Sequence, residues 1–269
     1  MSGVKSHPYH ILNPSPWPFV ASMCAFVMAI AGIWYMRGGP LAGFLVCLGA
    51  VTVCAIMWWR DVVKESANGV DHTEEVAHGL RMGMLLFIAS EVMFFFAFFW
   101  AYFNASIPAL SFVASPVWPP EGVVPLNSWT LPFLNTLILL TSGVTVTYAH
   151  HAMRLGDMDR AAKGILLTVI LGLIFTSCQA YEYGVATFGF EDGIYSSTFY
   201  LATGFHGFHV IVGTIFLIVC YFRCVKGHFT AEKHVGFESA AWYWHFVDVV
   251  WLFLFVAVYW WGGSGYDFG

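Results

Sequence analysis

Long apolar runs separated by short polar connections set the character of this chain. Seven runs, residues 17–36, 41–59, 80–102, 130–150, 161–183, 199–223 and 240–261, are each long enough for a helix to cross the roughly 30 Å hydrocarbon core of a bilayer. Most of the Pro, Gly and charged residues fall in the connections. The runs are too long and too uniformly apolar for the alternating strands of a membrane barrel, so helices are the expected form. The pattern predicts an all-α membrane protein with little chain left over for a soluble domain.

Composition agrees. Of 269 residues, 59% are hydrophobic, 19% aromatic and only 10% charged, outside the range of soluble domains. Charge adds an orientation. With seven spans, Lys5, Arg60, Lys64, Arg81, Arg154, Arg160, Lys163, Arg223, Lys226 and Lys233 share one side and Arg37 alone is on the other, together the 11 basic residues of the chain. That bias predicts an N-terminus in the cytoplasm or matrix and a C-terminus opposite. The segment "MSGVKSHPYHILNPSPWPF" lacks the pattern of a secretory signal or transit peptide, so the first helix is the expected insertion signal. A net charge of −5 argues against nucleic acid or another polyanion as partner.

Candidate chemistry is sparse. Cys24, Cys47, Cys54, Cys178, Cys220 and Cys224 lie within predicted spans, where a thiol acts as a small hydrophobe and disulfides are not expected. Cys220 and Cys224 share a helix face, but no CxxC or convergent Cys/His set accompanies them, so no metal site is expected. His206 and His209 share a face, as do His245 and Asp248, whereas His150 and His151 diverge. Such residues could ligate haem or copper. The preferred reading is that His206, His209, His245 and Asp248 are structural, each hydrogen-bonding a neighbouring helix or its backbone. No nucleophile with its base, phosphate-binding Gly loop or HExxH helix is present, so no catalytic residue is expected.

One residue stands against its surroundings. Glu91 lies inside "LLFIASEVMFFFAFFWAYF", residues 85–103, with no basic residue within a turn. A neutral carboxyl costs far less in hydrocarbon than a charged one, so the protonated form is expected. Ser90 is its one polar neighbour and the next turns hold Phe94, Phe95 and Phe98, too few stepping stones for a proton path. A structural buried acid is therefore preferred over a proton-linked one. At the basic side, Trp58 and Trp59 precede Arg60, and Arg223, Lys226 and His228 end another span. These place aromatic and cationic groups at headgroup depth, suited to an anionic phospholipid.

The runs "NPSPWP" (13–18), "WWRDV" (58–62), "SEVMFFFAFFWA" (90–101), "LNTLILLTSG" (134–143), "AHHA" (149–152), "ATGFHGFHVIVGT" (202–214) and "AAWYWHFVDVVWLFLF" (240–255) closely resemble cytochrome c oxidase subunit III, in that family's order along essentially the whole chain. The resemblance implies a non-catalytic core subunit of a haem–copper terminal oxidase. It implies helices I–II (residues 1–66) and a five-helix bundle III–VII (residues 67–269), separated by a V-shaped lipid-filled cleft faced by an acid at the Glu91 position. It implies haem and copper in partner subunits I and II and none in this chain. It implies packing on subunit I near a proton-uptake path, support of proton uptake and turnover lifetime, and structural phospholipids at positions such as Trp58, Glu65, His72 and Arg223. Expected partners are subunits I and II, membrane lipids and respiratory supercomplex components, in a bacterial plasma membrane or mitochondrial inner membrane. The alternative is an autonomous transporter, which needs a polar midplane site made by broken helices or inverted halves; no internal repeat is detectable. A retinal protein would need a Lys in the last span, which has none.

Overall fold

The structure is a computed structural model that describes residues 9–68, 71–107, 117–264 and 266–267. Lys5 lies outside the described residues. Among the described residues, seven helices are long and apolar enough to cross a membrane: α1 (Trp17–Met36), α2 (Leu41–Asn68), α3 (Glu74–Ser106), α4 (Leu131–Arg154), α5 (Met158–Val185), α6 (Ile194–Val225) and α7 (Val235–Leu254). A π-helical segment, Phe255–Trp261, prolongs α7. The one strand pairing among the described residues is a two-residue antiparallel match of β1 (Val117–Trp118) with β2 (Tyr266–Asp267).

All seven predicted spans are helices, and several run beyond their apolar stretch. The second continues from Trp59 to Asn68, where Lys64 and Asp61 pair at 3.3 Å one turn apart. The third starts at Glu74 rather than Leu80. Thr73 accepts from the Val76 amide there, and Glu74 and Glu75 sit in the first turn, where acids oppose the helix dipole favourably. Hydropathy marks the stretch that sits in hydrocarbon; capping decides where the helix stops.

Two stops are written in "LGD" and "KGH". Gly156 takes φ 80° just past α4, and Asp157 then caps α5 by accepting from the Arg160 amide at 2.9 Å. Gly227 takes φ 70° after α6, and the His228 amide reaches back to the Arg223 carbonyl at 2.9 Å, the glycine-terminated end that orphan carbonyls favour.

The chain divides into two compact units, residues 1–80 and 81–269. In the first, α1 and α2 pair through small residues, Gly32 against Phe44 and Gly43 against Trp34, and Trp17 Nε1 donates to Asp61 Oδ2 at 2.7 Å. In the second, α4 to α7 enclose a core of Phe175, Phe199, Trp244 and Trp251. Indole donors meet hydroxyls across it: Trp244 to Ser142 at 2.8 Å and Trp251 to Thr136 at 2.9 Å. Close helix approach needs small residues in a bilayer, where burying apolar surface gives no advantage over lipid. Gly164 faces Ala149, and Gly172 faces Trp244 and Thr214, at distances that leave no room for a Cβ.

Candidate functional site

Glu91 projects from the middle of α3, and the fold supplies what its own helix does not. Its Oε2 lies 3.0 Å from Nε2 of His209 on α6, 118 residues away. The other ring nitrogen, Nδ1, lies 2.7 Å from the Phe205 carbonyl one turn back. A carbonyl oxygen only accepts, so Nδ1 carries a hydrogen. The Glu91–His209 contact then holds a single proton between Oε2 and Nε2, and the pair is net neutral whichever atom carries it. A net-neutral, hydrogen-bonded pair is the form in which such groups tolerate an apolar setting.

Aromatic rings close around the pair. Phe205, Phe95 and Phe246 lie 4.5, 5.2 and 6.0 Å from the His209 ring, and Tyr243 lies nearly parallel to it at 6.1 Å. The imidazole is 4% exposed and the Glu91 side chain 16%, so the carboxyl retains a small outward opening. Ser90 turns to its own helix, donating to the Phe87 carbonyl.

The other proposed polar residues occupy separate places. His206, three residues before His209, is buried, with Nε2 3.1 Å from the Val247 carbonyl of α7 and its ring against Trp251 and Phe175. His245 meets Thr147 of α4 at 3.0 Å through Nε2. Asp248 sits 3.9 Å from His245 Nδ1, beyond hydrogen-bond reach, and packs where a Cβ at Gly143 would stand. Cys220 and Cys224 turn to different carbonyls, those of Gly236 and Met158.

The candidate lipid residues form one set in each unit. In the first, Trp58 and Trp59 are exposed on α2, and Glu65 and His72 are half-buried near its end. In the second, Lys226 is exposed and His228 half-buried. Arg223 is turned inward: it is 8% exposed, and its guanidinium carbon stands 4.4 Å over the Phe229 ring.

With this geometry in view, similarity to known proteins is decisive. Residues 7–263 match the family model described as cytochrome c oxidase subunit III. The chain belongs to that family. Proteins named cytochrome c oxidase subunit 3 from Chondrus crispus and Prototheca wickerhamii are each 54% identical to it over 263 residues, covering 97% of this chain and 96% and 100% of theirs. The one from Arabidopsis thaliana is 55% identical over 262 residues, 96% of this chain and 98% of its own. The chain is thus an integral membrane subunit of an oxidase, as the ordered motifs implied.

Within this subunit III chain, sequence reasoning passed over an acid more deeply placed than Glu91. Glu182 of α5 is 1% exposed; its Oε1 accepts from Tyr259 of the π-helical segment at 2.6 Å and from Gln179 at 3.1 Å. It stands near a span end in "YEYGV", where a polar residue is unremarkable. The available signal was Gln179, three residues earlier on the same face of the helix. His10 was also passed over; it lies against Glu65 and His72.

Proposed function

We propose that this chain is the core subunit III of a proton-pumping cytochrome c oxidase that itself carries no redox centre. It stabilises subunit I, supports proton uptake and turnover lifetime, and holds structural phospholipids, while the haems and coppers that reduce oxygen reside in partner subunits. The observation that carries this reading is the match of nearly the whole chain to the family. The Glu91–His209 pair supports a structural acid in preference to a proton conductor: Ser90 hydrogen-bonds its own backbone, and phenylalanines surround the ring. The N-terminus is assigned to the cytoplasmic or matrix side by the basic residues. Trp58, Trp59, Glu65 and His72 form one phospholipid-binding group, with Lys226 and His228 in a second. Arg223 serves that second group by ordering the turn after α6.

Depleting the chain from the purified oxidase tests the proposal. Initial electron transfer should persist, proton uptake should slow as pH rises, and the enzyme should inactivate after fewer turnovers. Unchanged turnover and lifetime across pH would overturn the assigned role. Ligand-dependent transport by the lone chain in vesicles would favour the transporter reading instead.

A further inference from the structure

The deeply placed acid of α5 has bonds on only one of its two oxygens. Glu182 Oε1 accepts from Tyr259 and Gln179, and the Gln179 amide also points at the Tyr259 hydroxyl, 3.4 Å away. Glu182 Oε2, Gln179 Oε1 and both amide atoms of Asn135 are buried and meet no hydrogen-bond partner among the described residues. Two observations place Asn135 of α4 at this level. Thr145 meets Thr168 at 2.8 Å and Ala149 stands against Gly164, an antiparallel register that sets Asn135 opposite Cys178 and Gln179. The next residue, Thr136, accepts from Trp251, whose ring lies 5.7 Å from that of Tyr259.

We propose that Glu182, Gln179 and Asn135 bind one or two internal waters that join α4, α5 and the π-helical segment near the C-terminal end of α5. Asn135 is 0%, Glu182 1% and Gln179 5% exposed, so bulk solvent does not serve these atoms, and a buried polar group without a partner is costly. The two polar atoms of a carboxyl or amide are roughly 2.2 Å apart. With Gln179 Nε2 standing 3.1 Å from Glu182 Oε1, Oε2 and the Gln179 oxygen lie within about 7.5 Å of each other, a span that one or two waters bridge. Water donates two hydrogens and also accepts, so it serves Oε2 with or without a proton on that oxygen. Asn135 supplies both a donor and an acceptor, completing the roughly three bonds that a buried water makes. A calcium ion fits the cluster poorly, because it takes six to eight oxygens and two of the protein groups here already aim hydrogens at the carboxyl. The π-helical segment shares in the arrangement through Tyr259, which the wider turn presents to Glu182; such segments recur at functional sites. The inference rests on no part of the oxidase reading.

The test uses the assembled oxidase. A cryo-electron-microscopy map that resolves internal waters elsewhere in the complex should show density about 2.7–3.2 Å from Glu182 Oε2 and from Gln179 or Asn135. Asn135→Leu keeps the shape of the residue and deletes its amide. With water bound, this removes a hydrogen-bond partner, so the density should weaken and the backbone amides of 255–261 should exchange with deuterium about 2–10-fold faster. With the amide unmet, the same change relieves a buried polar group, and exchange should stay the same or slow down. Gln179→Met should act in the same direction as Asn135→Leu. Unchanged or slower exchange in Asn135→Leu would overturn the proposal. So would a wild-type map without density beside Glu182 Oε2, or one with a peak ringed by six or more oxygens at about 2.3–2.6 Å, the mark of a calcium ion. The wild-type map decides the matter even where a variant fails to assemble.

Discussion

Removing one partner of the Glu91–His209 bond should cost more than its share of removing both. The atoms meet at 3.0 Å and the imidazole is 4% exposed, so the ring nitrogen finds little water once the carboxyl is gone. Glu91→Leu leaves Nε2 of His209 facing apolar rings, and a buried polar group left unmet costs about 1–3 kcal/mol. His209→Phe does the converse to the carboxyl, softened by its 16% exposure, and the double variant leaves neither group unmet. Couplings between polar partners on membrane helices average about 0.6 kcal/mol and reach about 1.7. A normal bond length and low exposure place this pair toward the upper end, about 1–1.7 kcal/mol. Glu91→Gln is the control, because an amide can donate to Nε2 or accept from it and so should cost clearly less than Glu91→Leu. Denaturant unfolding of the full chain in bicelles, with all five proteins at one pH, measures the cycle. Additive single costs, with coupling below about 0.3 kcal/mol, would refute the pairing, as would equal losses for Gln and Leu at position 91.

A hydrophobic carbodiimide, which partitions into lipid, should label Glu91 on the middle of α3 in preference to the exposed Glu74 and Glu75 at its start, and the label should vanish in Glu91→Gln. Mass spectrometry of peptides from the labelled oxidase reads this directly, and modification concentrated on the two first-turn acids would contradict the membrane-interior setting of Glu91. Gly143→Ala should destabilise the chain by about 1–3 kcal/mol, because its methyl would stand where the Asp248 carboxyl packs. Gly143→Ala combined with Asp248→Ala should recover most of that loss, and an unaltered melting profile for the single variant would show that the two residues do not touch.

Much of the fold was legible because hydrophobicity along a helix is a local property. Each of the seven apolar runs lies within or largely overlaps an observed helix, and the glycines at 156 and 227 sit at the helix ends where their positive φ angles are used. The ends themselves were harder to read. Segment 60–68 and segment 74–79 stay helical beyond the apolar runs, since helix formers continue a helix into water as readily as into a headgroup layer. Glu91 stood out for the opposite reason: a lone carboxyl among phenylalanines contrasts with everything around it.

Partners were not legible. In a soluble protein the apolar stripe of a helix shows which face turns inward, but a helix in hydrocarbon is apolar toward lipid and toward protein alike. Position along the chain therefore could not say that α6 brings His209, rather than His206, to Glu91, since the two residues share a helix face and differ by one turn. Nor could it turn Arg223 inward over Phe229 or gather His10, Glu65 and His72 at one point. The amino-acid sequence by itself determined the spans, the lone acid within the third of them and the family. The tertiary structure decided which groups meet, because that depends on helix rotation and close approach set by packing at small residues such as Gly143, Gly164 and Gly172, which no periodicity of hydrophobic residues encodes.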